Sequence, residues 1–245
     1  MPAITLLDAA ESRQVKGVVF REDSLDRFSI FETEFLECVF VDCVFDGEKI
    51  GMSTFHGCRF TGCSFRDTRL ISCQFNEADG EKRCIWSGCD LSDTIFEGCD
   101  LSSNQFTACK GFKLRLEKCN FSAVQLNMDP HRHVNARHVV GGISCYRTDL
   151  SDTYMSGQNL EGSIFELCDL RRADLSGCNL SFANFVGSNL NTTRITNSLL
   201  TNAMIAHADI DELDFNQALD LTDLTISSDQ QDRMLQHFGI HVLHK

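Results

Sequence analysis

"CDLRRADLSGCNLSFANF", residues 168–185, repeats a pattern every five residues. Leu170, Leu175, Leu180 and Phe185 are its large apolar centres, and a small residue (Cys168, Ala173, Cys178, Ala183) stands two before each. Between each pair sits an acid or its amide: Asp169, Asp174, Asn179, Asn184. Neither helix nor strand has a period of five, so the chain must turn a corner once per unit. The centre and the residue two before it point inward, and strand alternation places the acid or amide outside. The two residues after each centre make the corner. Glycine favours the second of them, as in Gly57, Gly62, Gly88, Gly98, Gly157, Gly162, Gly177 and Gly187. That is the third residue of a type II turn, where φ is positive. Four corners close a square coil of twenty residues, and coils stack about 4.8 Å apart through backbone hydrogen bonds.

The same register covers most of the chain. It runs from Phe20 to Phe75, resumes at Trp86 after "NEADGEKR" (residues 76–83), weakens at Gly111, and breaks again over residues 127–144 before running from Leu150 to Phe215. The expected fold is all-β: a right-handed quadrilateral parallel β-helix spanning residues 18–226, preceded by an extension (1–17) and followed by a C-terminal α-helix and tail (227–245). Phe165, Phe185 and Ile205, twenty apart, should stack in one column.

The 245-residue chain carries a formal net charge of −13, which repels nucleic acid and points to a basic or charge-patterned protein partner. Only two prolines and no Gly/Ser-rich stretch argue against a flexible linker. The N-terminus has no secretory pattern, and no apolar run approaches the roughly 18 residues of a membrane span. Every cysteine of the thirteen except Cys145 falls two before a centre, where a small buried hydrophobe is needed. Reduced core thiols are therefore expected, and with them a cytoplasmic location.

Function should lie where the repeats stop. The first interruption offers Asn76, Glu77, Asp79, Glu81, Lys82 and Arg83; the second offers Asp129, His131, Arg132, His133, Arg137 and His138. The histidine spacing is compatible with zinc, but no cysteine or further carboxylate completes a tetrahedral set, so a contact element is preferred and neither metal nor cofactor is expected. In the tail, Ser228 followed by Gln231 resembles a capping box, and Met234, Leu235, Phe238 and Ile240 form an apolar stripe larger than a lid needs. A two-fold dimer through this stripe is expected. Asp149, Asp169 and Asp209, with Asn189, should form one outward column: an acidic face.

The A(D/N)Lxx-like units resemble the pentapeptide-repeat family. Two interruptions, a C-terminal amphipathic helix, and the strings "CQF", "CDLS" (99–102) and "MLQHFGI" (234–240) are similar to its Qnr branch. That resemblance implies binding to a type II DNA topoisomerase (DNA gyrase, with topoisomerase IV as a second candidate), protection against quinolones, and loops and a dimerisation helix that serve this role. Self-immunity proteins against natural-product gyrase poisons are a close relation. The longer second interruption and the N-terminal extension depart from the branch's pattern. No GxSxG, HExxH or P-loop occurs, so an enzyme is not expected. The competing class is a non-catalytic scaffold or effector that uses the rod as a binding surface.

Overall fold

The computed structural model describes residues 4–25, 27–77, 82–134 and 137–243; within the segment 133–138 it describes backbone only. The chain is a parallel, four-sided β-helix. One face stacks Val15, Phe35 and Phe55 in parallel strand pairs, and bridges carry the ladder through Gln74, Asp100, Asn120, Asp149, Asp169, Asn189 and Asp209. The second face runs through Phe20, Phe40, Phe60, Trp86, Phe106 and Leu126. The third carries Leu25, Phe45, Phe65 and Leu91. The fourth carries Ile30, Ile50, Leu70, Phe96, Leu116, Cys145 and Phe165. Thus every side chain of the quoted stretch has the environment its position demands: Leu170, Leu175, Leu180 and Phe185 are buried, as are Cys168, Ala173, Cys178 and Ala183.

The interior is a set of stacked rings. Phe165 and Phe185 lie parallel with centroids 5.1 Å apart, and Phe20–Phe40–Phe60–Trp86 form a continuous stack at 5.1, 4.8 and 4.1 Å. Each such residue contributes roughly 1.5–3 kcal/mol by leaving water. All thirteen cysteines are free and buried. Burial pushes the Cys168 thiol up to about 12 and the Cys178 thiol up to about 11, so these are packing groups rather than nucleophiles.

Positive φ occurs at most corner positions two after the centre, at Gly57, Gly177 and Gly187 as expected, but also at Glu37 (54°), Asp152 (57°) and Phe182 (59°). The backbone ladder offsets the strain at these non-glycine corners. These corner N–H groups reach the next coil, Glu37 N to His56 O at 2.8 Å and Phe182 N to Thr201 O at 2.9 Å.

Two kinds of corner alternate with sequence. In the C-terminal half the turn is closed by a bond back to the centre, such as Ala173 N to Leu170 O (3.0 Å) and Cys178 N to Leu175 O (3.1 Å). There the Asx residue explains itself: Asp169, Asp174, Asn179 and Asn184 each accept the N–H two residues on, at 2.9–3.1 Å. This Asx turn pre-bends the chain for the corner. In the N-terminal half the strand commonly runs one residue further before an open corner, as in Val39–Val41, where both flanking positions are valine. Branched side chains favour that extended backbone.

Several boundaries differ from the sequence reading. Residues 1–17 are not wholly outside the rod: Val15 heads the first face, and α1 (Leu6–Ala10) covers the coil end with Leu6 and Ala9, both fully buried. The break at 127–144 is narrower, because Met128 and Asp129 still pair with Cys109 and Lys110. Cys145 is itself a centre, paired with Leu116 and Phe165. Gly111, where the register weakened, is filled from outside its own position: an added Cβ would lie 2.0 Å from Met128 Sδ. At the far end the capping box is Ser227 with Gln230, one residue earlier than expected, leading into α2 (Gln231–His237). The register shifts because Gln230 is needed inside. Its Nε2 donates to Ile205 O (2.9 Å) and Ala208 O (2.7 Å), pairing carbonyls at the rod's open end.

The column assignment is testable. Phe185→Asp would place an unpaired carboxylate between Phe165 and Ile205 and should cost several kcal/mol, seen as a large fall in Tm by circular dichroism. Phe182→Asp, three residues away on an exposed corner, should change Tm by little.

Candidate partner-binding surface

Two elements leave the square coil. The first, residues 76–83, adds six residues to one coil, since the Cys73 N–H donates to Cys99 Sγ, 26 residues on, rather than twenty. It leaves at the corner between the first and second faces. Asn76 Nδ2 donates to Ser102 O (3.4 Å). Lys82 returns the chain to the ladder by accepting the Gly57 N–H (3.1 Å), and its ammonium pairs with Glu77 (3.0 Å) and Glu37 (3.5 Å). Those carboxylates raise the Lys82 pKa, the Glu77 contact first. Arg83 is exposed beside Arg59 and Ile85. Asp79 and Glu81 lie outside the described residues.

The second adds nine residues, since Cys119 bonds to Thr148, 29 residues on. It is an antiparallel hairpin of Arg132–Val134 and Arg137–Val139, with Arg132 opposite Val139 and His133 opposite His138. It leaves at the corner between the third and fourth faces, diagonally across the coil from the first element. Phe112 and Pro130 form its seat. The Arg132 guanidinium lies 4.1 Å above the Phe112 ring and 3.1 Å from Asp93. Asp129 stays exposed, and one of its oxygens accepts the His131 N–H at 3.0 Å.

His131 is not a surface contact. It is 6 % exposed; Gly141 N donates to Nδ1 (3.2 Å), so Nε2 is the N–H and donates to Asn159 O (3.1 Å). The sequence placed it among the outward loop residues because nothing local marks a buried histidine. His133, Arg137 and His138 have backbones in the hairpin, but their side chains lie outside the described residues. Sequence reading missed the seat itself. Phe112, Asp93, Gly141 and Asn159 come from separate coils, and only the doubled Gly141-Gly142 hinted at close approach.

The acidic column is real as a ladder: Asp149, Asp169, Asn189 and Asp209 follow one another along the first face, preceded by Asp100 and Asn120. Its charge is reduced in place. Arg171 forms a forked pair with Asp169 (Nε 2.9 Å, Nη2 2.5 Å), and Arg172 reaches back to Asp152 at 2.7 Å, its hydrogen bond holding that carboxyl below the usual range. In the tail, Met234 packs on the core and Leu235 is half-buried, whereas Phe238 and Ile240 are exposed, together with Leu219, Val242 and Leu243.

The family model described as Pentapeptide repeats matches eight copies, over residues 53–79 and 148–181. Those two stretches carry pentapeptide repeats. Among curated pentapeptide-repeat relatives the chain is 42% identical over 52 residues to the quinolone resistance pentapeptide repeat protein QnrB96 of Scandinavium goeteborgense. It is 38% identical over 52 residues to the pentapeptide repeat protein QnrB4 of Escherichia coli. In both cases the match spans 21% of this chain and 24% of the relative, so the chain spans about a quarter of those relatives' length. Among solved pentapeptide-repeat structures, trypsin-treated QnrB1, a plasmid-mediated fluoroquinolone resistance protein, superposes with a TM-score of 0.62 at 23% identity, covering 89% of this chain and 99% of that one. HetL, involved in heterocyst differentiation regulation in the cyanobacterium Nostoc sp. strain PCC 7120, gives 0.54 at 16% identity, covering 90% and 92%. At these identities the likeness is one of fold.

The seat makes a prediction of its own. A Cβ on Gly141 would stand 2.3 Å from the Phe112 ring and 2.6 Å from Pro130 O, which is backbone and cannot yield. Gly141→Ala should therefore unseat the hairpin at a cost of about 1–3 kcal/mol. Faster amide exchange in residues 132–139 should accompany unchanged exchange in the coils around Leu175.

Proposed function

We propose that this chain binds a type II DNA topoisomerase, DNA gyrase first and topoisomerase IV second, and protects it from quinolone or natural-product poisons. The observation that carries the reading is the conjunction of local identity to Qnr proteins with a rod interrupted at two points. The rod supplies an acidic, partly neutralised face (Asp149, Asp169, Asp209), and the hairpin with Arg132 and the 76–83 element supply what distinguishes it from any other acidic solenoid. Binding is to protein, in the cytoplasm, without cofactor, and the rod takes no catalytic part. The thirteen reduced thiols accord with such a compartment.

The test is purified gyrase with supercoiled DNA and a fluoroquinolone, read as supercoiling restored and cleaved DNA lost on titrating this protein. Replacing residues 132–140 by Gly-Gly should leave the rod folded and cut protection at least about tenfold, a loss of the size expected for removing an interface anchor. If the shortened protein protects equally, the hairpin is not the contact. Absence of gyrase binding altogether would leave the scaffold reading.

We further propose that the exposed Phe238 and Ile240, with Met234 and Leu235 beneath them, form a two-fold tail-to-tail interface. Truncation after Ser228 should convert a dimer to monomer or aggregate in light scattering. A dimer mass that survives the truncation would place the contact elsewhere.

A further inference from the structure

We propose that His131 is a positioning residue whose neutral imidazole latches the hairpin to the rod, so that protonation releases it. This goes beyond topoisomerase binding and does not depend on it. One ring ties three parts of the chain: the entry to the hairpin at residue 131, its exit at Gly141, and the following coil at Asn159. The bond from Gly141 N–H requires a lone pair on Nδ1. The bond to Asn159 O requires the proton on Nε2. Only the neutral imidazole with its proton on Nε2 satisfies both.

Adding a proton to Nδ1 turns two facing groups into donors at 3.2 Å. The Gly141 bond is lost, a part-buried N–H is left without its acceptor, and a charge appears on a ring that is 6 % exposed. His131 shares a cavity of about 390 Å³ with Asp90 and Asp129, which favour a cation, and with Arg66, Lys110 and Arg132, which oppose one. One oxygen of each acid is already engaged, Asp90 by Ser92 N–H and Asp129 by the His131 N–H. The Asn159 bond survives protonation and discriminates nothing. Of these two bonds, the one from Gly141 is the one that protonation breaks.

The sign follows from proton counting. The seated hairpin binds its proton less readily than the released one, whose imidazole titrates near an ordinary value of about 6.5. Seating is complete above that pH and is lost as pH falls below it. Once Gly141 lets go, Val140, which rests on Gly162, and Arg132, which lies on Phe112, lose the anchor on their far side. The hairpin is thus presented in one posture near neutrality and freed by acidification.

Hydrogen exchange by NMR on the full chain tests this, in a His133→Gln/His138→Gln background so that only His131 titrates in the hairpin. Between pH 8 and pH 5, Gly141 exchange corrected for its intrinsic pH dependence should accelerate by about tenfold, the equivalent of one hydrogen bond. The change should follow the His131 Cε1–H shift. His131→Phe should already exchange fast at pH 8 with no pH dependence. His131→Gln, whose amide oxygen can accept the Gly141 N–H without titrating, should restore slow, pH-independent exchange. The Leu170 and Leu175 amides, bonded to Asn189 O and Arg194 O, report whether the rod itself is intact. Constant Gly141 protection while His131 titrates would overturn the proposal, as would His131→Phe exchanging as slowly as its parent, or a pH transition surviving in His131→Gln.

Discussion

Everything in this structure depends on the corner N–H. A square coil needs a left-handed residue four times per turn, a conformation most side chains resist. The coil tolerates Glu37, Asp152 and even Phe182 there because each corner N–H finds a carbonyl in the next coil. The inward rings add the apolar term, but the direction of the chain is set by these bonds. Strain accepted locally is compensated by a ladder that exists only when coils are stacked, so a coil has little reason to form alone.

The two termini answer the same requirement. A solenoid's last coil has carbonyls and N–H groups with no coil beyond them. At one end α1 lies over the apolar opening, and Asp23 takes the Leu6 N–H at 2.7 Å. At the other, Gln230 turns its amide inward onto two carbonyls while its oxygen caps the turn at Ser227. One side chain thereby ends the rod and begins α2.

The five-residue rule was legible because each position carries a distinct chemistry: small, amide or acid, large, then two for the corner. It failed where those cues lose their neighbours. Cys145 has the residue type of an inward small position, and the hairpin before it removes the flanking units that would have shown it to be a centre. His131 looked like a loop residue because the groups that hold its ring, the Gly141 N–H and the Asn159 carbonyl, lie ten and 28 residues away along the chain. Ser227 and Ser228 are both plausible caps, and only the need for an amide at position 230 inside the rod separates them. The acidic column was legible as geometry, and the neighbouring arginines in the sequence are the ones that pair with Asp169 and Asp152. The stacking of like positions followed from the twenty-residue spacing, but the side-chain contacts made where the repeat breaks did not.

The diagonal placement of the two projections limits the shape of whatever meets both. No flat surface can touch opposite corners of a square prism at once. A molecule engaging the 76–83 element and the hairpin together must be a jaw or a cleft with the rod lying across its floor. One that offers only a plane must choose a side, or meet the second projection on another copy.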